Sequence, residues 1–276
     1  MNVVVIGLGL IGGSFGLSLR ELDPAFEVCG VDRADVIARP AAARAAQRLL
    51  DVADAGAVDQ AVKAADLVFL ALPVAAIVAT LPHVLAHARV VTDAGSTKRV
   101  IAQAVEGAPR RGRYVAGHPM AGAPEGGIEL AQAGLFRDRR WLLCPEGSDP
   151  DAVALVEDLV HRLGARPIRL GITEHDRAVG LTSHATQLVA SALAVAAADR
   201  DAEEAAGPGF DGATRIAGGP EAMWSDIFAT NSDDVAAGLR AITTELEAVA
   251  AGLARVPPDT APARALLARA RRLRRR

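Results

Sequence analysis

Val3-Val4-Val5-Ile6-Gly7-Leu8-Gly9-Leu10-Ile11-Gly12 decides how the rest of the chain is read. Four β-branched residues in a row predict a buried strand, and the apolar residues after the turn recur at helical spacing through Arg20. Three glycines between strand and helix have separate uses. Gly7 permits a tight turn, Gly9 lets a pyrophosphate approach the backbone, and Gly12 allows the helix to pack closely on the strand. The helix start, at Leu10 and Ile11, then offers unpaired N–H groups to an anion. Asp32 ends the next strand twenty residues beyond Gly12, where a carboxylate accepts hydrogen bonds from ribose hydroxyls and repels a 2′-phosphate. This favours NAD over NADP. The guanidinium of the neighbouring Arg33 is the group that would pair with the phosphate instead.

Working outward, short β-branched runs alternate with alanine-rich stretches. Strands are predicted at Val3–Ile6, Glu27–Val31, Leu67–Ala71, Arg89–Thr92, Tyr114–Ala116, Trp141–Cys144 and Pro167–Leu170. Helices are predicted at Ile11–Arg20, Ala41–Leu49, Val74–Ala86, Lys98–Val105 and Ala152–Leu163. The alternation is that of a Rossmann-type α/β fold, a doubly wound parallel sheet. After Gly171 only helical periodicity remains, over Glu174–Arg200, Pro220–Ala229, Asp233–Leu253 and Ala263 onward. The expected organisation is therefore a dinucleotide-binding domain over 1–171 and an all-helical domain over 172–276.

Composition narrows the function. The 276 residues are 51% hydrophobic and 23% charged, enough apolar material for a full core. The apolar stretches Leu67–Ala79 and Leu188–Ala198 are interrupted by Pro73 and Ser191 and fall short of the ~18–20 residues of a membrane span, so no membrane helix is expected. With the first strand opening directly at Val3, no secretory signal is expected. Cys29 and Cys144 suit neither a disulfide framework nor a metal knuckle, so no metal is expected and a cytoplasmic protein is. The formal charge is −3, yet seven arginines lie in the last thirteen residues, leaving −10 for the remainder. An acidic body with nine aromatic residues argues against nucleic acid as a partner. The arginine tail reads as a solvated helix end.

Ligands of such sheets bind outside the carboxyl ends of the strands. Two loops stand there, Asp93-Ala94-Gly95-Ser96-Thr97-Lys98 and Gly117-His118-Pro119-Met120-Ala121-Gly122. His118, beside a proline at a strand end, is the candidate general base. Ser96 is placed to share the same substrate hydroxyl, and equally to cap the helix beginning at Lys98. Lys98 and Lys63 are the only two lysines.

GLGLIGGS, DAGSTK, GHPMAG, His175-Asp176 with Leu181-Thr182-Ser183-His184, and Gly209-Phe210-Asp211-Gly212-Ala213-Thr214-Arg215-Ile216-Ala217 with Met223-Trp224 and Asn231 together resemble the prephenate and arogenate dehydrogenases of tyrosine biosynthesis. The resemblance implies NAD-dependent oxidative decarboxylation of prephenate, or of arogenate. It also implies a helical domain that forms a homodimer, with the active site between the two domains. By the same resemblance His118 engages the ring hydroxyl, Ser96 assists it, Arg215 binds a substrate carboxylate, and His184 and Gln187 contribute to substrate binding. His184 also fits an interior histidine. Two positions depart from the family pattern: Glu125 follows the place, Pro124, where many members carry a glutamate, and Gln187 stands where many carry a second histidine. His83, His87 and His161 read as helix-surface residues. A β-hydroxyacid dehydrogenase would need a lysine in the helical part, where there is none; a catalytically silent NAD sensor would lack the set His118, Ser96 and Arg215.

Overall fold

The computed structural model describes residues 1–122 and 125–273. Contacts divide the chain into two units, Met1–Ala178 with Gly218–Thr230, and Val179–Ala217 with Asn231–Arg276. Residues 172–178 and 218–230 thus pack with the sheet, although they lie beyond the boundary expected from periodicity.

The first unit is built on eight strands: β1 (Asn2–Ile6), β2 (Glu27–Asp32), β3 (Arg48–Asp51), β4 (Leu67–Leu70), β5 (Val91–Asp93), β6 (Tyr114–Pro119), β7 (Arg140–Cys144) and β8 (Arg166–Arg169). They are ordered β3-β2-β1-β4-β5-β6-β7-β8. Every pairing is parallel except β6 with β7. The sheet is the doubly wound, mostly parallel one expected, with β6 and β7 its antiparallel pair: among the described residues the connection between Pro119 and Arg140 carries only the short 3-10 helix Ile128–Leu130 and no crossover α-helix. One expectation is corrected here. The helix expected over Ala41–Leu49 ends at Ala45, and Arg48–Asp51 adds the edge strand β3, hydrogen-bonded to β2.

Alternation along the strands builds a core on each face. Val3, Val5, Val28, Leu67 and Phe69 face Phe15 and Leu19 of the helix Leu10–Leu22 and Val153, Val156 and Val160 of the helix Pro150–Arg162. Val4, Ile6, Val31, Val68, Leu70 and Val91 face Ile77, Leu81 and Leu85 of the helix Val74–His87 and Val62 of Ala55–Ala64. Phe15, Phe69, Phe136 and Trp141 cluster with ring centroids 4.2–6.5 Å apart. The winding reverses between β1 and β4, both leading into loops at their carboxyl ends, which is where doubly wound sheets hold ligands.

The second unit is helical among its described residues, with Thr186–Ala198, Pro208–Thr214, Ser232–Leu253 and Ala261–Leu273 as its α-helices and a π turn at Gly180–Ala185. The π turn links Ile172–Val179 to Thr186–Ala198, giving a helical stretch of 27 residues that is long and apolar enough by composition to cross a membrane. Uninterrupted apolar runs do not anticipate this, because the stretch includes polar His184, Gln187 and Ser191. Those residues bond to protein groups: His184 to Asn231, Gln187 to the Ile216 carbonyl and Ser191 to the Gln187 carbonyl. The first two bonds reach residues outside the stretch, and the third lies within the helix itself. Arg274, Arg275 and Arg276, the end of the basic tail, lie outside the described residues.

Candidate active site

At the glycine turn, Gly7 has φ +97°, and a side chain on it would begin 2.3 Å from the Ala71 carbonyl oxygen. A side chain on Gly12 would begin 1.8 Å from the oxygen of Gly7, so both positions are closed to any other residue. Gly9 differs. A Cβ there meets no atom within 4 Å, so this face of the turn is open. Gly9 is also the N-cap of the Leu10–Leu22 helix, with no side-chain cap and no acidic residue in the first turn. Asp32 accepts the backbone N–H of Leu8 at 2.6 Å and of Arg33 at 2.7 Å, tying the end of β2 to the glycine turn. Arg33 directs its guanidinium to Asp35 at 3.0 Å, an exposed pair. Open backbone donors beside a strand-end carboxylate fit a dinucleotide.

Further along the same carboxyl edge, Asp93 at the end of β5 is a buried hub. Its carboxylate accepts the Tyr114 hydroxyl at 2.8 Å and the N–H groups of Gly117 at 3.0 Å and Gly95 at 2.8 Å. It also pairs with the Lys98 ammonium, and neither side chain has any exposure. Lys98 Nζ in turn donates to the Gly117 carbonyl at 2.6 Å. Both main-chain groups of the residue before His118 are therefore held by one ion pair. Burial, with the adjacent Asp93 charge, raises the Tyr114 phenol well above its ordinary range, so it stays a neutral donor. Gly117 has no room for a side chain, since a Cβ would lie 2.7 Å from the Asp93 carbonyl.

His118 lies on β6 and is 8% exposed. Its Nδ1 is 2.9 Å from Nε2 of His175, whose Nδ1 is 2.8 Å from Oδ1 of Asp176; His175 and Asp176 are fully buried. Asp176 also accepts the N–H of Lys98 at 2.7 Å and, at 3.0 and 3.1 Å, the N–H and Nε of Arg99. Burial lowers the His175 pKa and outweighs the opposing hydrogen bond to Asp176, so the imidazole is neutral near pH 7. For Asp176 burial acts to raise the pKa, but the bonds from His175, Arg99 and Lys98 prevail and hold it below the ordinary carboxylate range.

Ser96 is half-buried in the loop after β5, beside the end of β6 in sheet order. It does not cap the next helix. That helix, Arg99–Gln103, has Lys98 as N-cap without a side-chain cap, and its first N–H groups are taken by Asp176 instead. Thr97 turns to Thr230, 3.0 Å away.

In the second unit, Arg215 follows the helix Pro208–Thr214, is exposed, and joins no carboxylate among the described residues. Gln187 is 5% exposed and donates to the Ile216 carbonyl at 2.7 Å, so it holds the main chain next to Arg215. His184 is buried with its Nδ1 3.2 Å from Asn231. Glu125 is exposed, and Pro124 lies outside the described residues. His83 pairs with Asp59 on the surface, with His87 edge-on beside it. Among the described residues no group of His, Cys, Asp and Glu is arranged to hold a metal.

Asp93, Tyr114, His175 and Asp176 were not assigned roles from sequence. The available signal was an aspartate and a lysine, five positions apart, closing an apolar strand.

Residues 15–169 match the family model for the prephenate dehydrogenase nucleotide-binding domain, and residues 172–259 match that for the prephenate dehydrogenase dimerization domain. The chain is 32% identical over 246 residues to prephenate dehydrogenase of Bacillus subtilis, an alignment covering 85% of this chain and 65% of that relative. Among solved structures, Synechocystis arogenate dehydrogenase is 27% identical with a TM-score of 0.74, covering 90% of each chain. Prephenate dehydrogenase from A. aeolicus, solved with hydroxyphenyl propionate and NAD+, shares the fold at 24% identity, with a TM-score of 0.85 over 100% of this chain and 98% of that one. With both of its parts matched in order, this chain belongs to the prephenate dehydrogenase family.

Proposed function

We propose that the protein oxidatively decarboxylates prephenate to 4-hydroxyphenylpyruvate with NAD. The observation that carries this reading is His118, set on the carboxyl edge that also bears the open glycine turn and backed by two buried side chains. Bound NAD would supply the acceptor for the hydride leaving the substrate's carbinol carbon. His118 takes the hydroxyl proton, and Ser96 hydrogen-bonds the same oxygen. Arg215 binds a carboxylate of the substrate through its bidentate guanidinium. The ring carboxylate leaves as CO2, the electron pair of the broken C–C bond completes the aromatic ring, the ring oxygen regains the proton from His118 to give the phenol, and the reaction becomes effectively irreversible. Arogenate is the second reading, favoured by Gln187, an amide committed to a main-chain carbonyl where many prephenate-using relatives carry histidine. Comparing initial rates on the two substrates tests the choice: faster turnover of prephenate is expected, and turnover of arogenate alone would reverse it.

The working form is a homodimer through the second unit, where Val189, Leu193, Val195 and Leu246 are exposed. Free, buried Cys29 and Cys144 suit the reducing cytoplasm.

Two substitutions test the binding roles. NAD should be used much better than NADP, and Asp32→Ser should narrow the gap while weakening NAD, because the same carboxylate also anchors Leu8. Equal use of both cofactors by the unmodified protein would overturn the assignment. Arg215→Ala should raise KM for the substrate strongly, by about 2–4 kcal/mol of binding if the pair is desolvated in the complex, with NAD affinity unchanged. An unaltered KM would make Arg215 structural.

A further inference from the structure

A base must present a lone pair to its substrate, and a neutral imidazole has two tautomers with the lone pair on opposite nitrogens. The hydrogen-bond chain running inward from His118 selects between them. Asp176 is ionised, so it only accepts, and the proton of His175 must therefore sit on Nδ1, 2.8 Å from the carboxylate. Neutral His175 then carries its lone pair on Nε2. That nitrogen faces Nδ1 of His118 at 2.9 Å, so His118 must donate from Nδ1, which puts its own lone pair on Nε2.

We infer that His175 and Asp176 are positioning residues that lock His118 in the Nδ1-protonated tautomer, with Nε2 as the proton-accepting atom. This rests on the reading of His118 as the base. When His118 gains the substrate proton it becomes an imidazolium whose Nδ1–H bonds a neutral acceptor already in place, with the Asp176 charge one ring further away. Asp176 is itself immobilised by Lys98 and Arg99, so the chain is anchored to the loop that carries Ser96. The ordering is that of a carboxylate behind a catalytic histidine, with one imidazole inserted between them.

The test reads tautomers directly. In protein labelled with nitrogen-15 at histidine, the ring signals of His118 and His175 are assigned by their loss in His118→Asn and His175→Gln, and each should report a neutral ring protonated at Nδ1. His175→Gln keeps one acceptor and one donor, and should hold the His118 tautomer with kcat within a few fold. His175→Phe keeps the bulk and removes both nitrogens. It should release His118 from the Nδ1-protonated form and lower kcat roughly 10–100-fold, the scale typical of lost supporting hydrogen bonds, with KM and NAD affinity little changed. An Nε2-protonated His118 in the unmodified protein overturns the inference, as does a His175→Phe protein with full kcat. Should His175→Phe fail to fold, the unmodified protein's spectrum still decides. The spectrum is independent of turnover, so an enzyme inactive on prephenate would refute the proposed reaction without touching the tautomer assignment.

Discussion

His118→Asn is expected to lower kcat by about 10²–10⁴-fold, the usual contribution of a general base, while NAD affinity stays near that of the unmodified protein. Asparagine retains a hydrogen-bonding group of similar size but cannot accept the proton. In the unmodified enzyme kcat/KM should fall as pH drops through the range where an ordinary imidazole protonates, about 6–7, because a protonated ring has no lone pair to offer. The variant should lack that limb. Steady-state kinetics across pH checks both statements. Persistence of the limb in His118→Asn would assign the base elsewhere and leave His118 a binding residue.

The largest effect on stability is expected at Lys98. Replacing it by methionine strands the Asp93 carboxylate in a site with no solvent exposure, and breaking a buried ion pair from one side costs about 3–5 kcal/mol. Asp93 keeps three other donors, Tyr114, Gly117 and Gly95, which soften the loss without neutralising the charge. Adding Asp93→Asn to Lys98→Met removes that charge, so the double variant should be more stable than the single one. Urea unfolding measures the difference. A single variant within about 1 kcal/mol of the unmodified protein would show that the pair does not hold the fold. Lys98 also fixes the Gly117 carbonyl, so folded Lys98→Met should turn over more slowly as well.

Both predictions concern strand ends, where the sequence was only partly legible. The glycine turn was readable because its three functions each demand glycine at a fixed place, and the structure closes Gly7 and Gly12 while leaving Gly9 open. The hydrophobic strands β1, β4 and β6 were readable from β-branched and aromatic content. The edge strand β3 was not, since Arg48-Leu49-Leu50-Asp51 continues an alanine-rich stretch and is only half-buried on the rim of the sheet. The helix Ala55–Ala64 carries a weak apolar period, and its clearest local signal is the cap Asp54, which accepts from the Ala57 N–H. Strand direction left no mark either. The pattern of β7 suits either orientation, and only the helix-poor connection before it points to antiparallel pairing.

His118 and Ser96 could be singled out because strand-end loops are where such folds place chemistry. Their supports could not. His175 is 57 positions from His118, and Asp176 reaches back 78 positions to Lys98. Contacts of that separation come from folding and leave no local spacing to read. Gln187 is legible in part. Its place in the motif implies substrate binding, and the structure adds a contact that the motif does not show, from its amide nitrogen to the Ile216 carbonyl beside Arg215.

The most direct measurement counts products. Purified protein incubated with NAD and prephenate should release NADH, CO2 and 4-hydroxyphenylpyruvate in equal amounts, and His118→Asn should suppress all three together. NADH without CO2, or NAD binding with no turnover of either prephenate or arogenate, would contradict the proposed reaction.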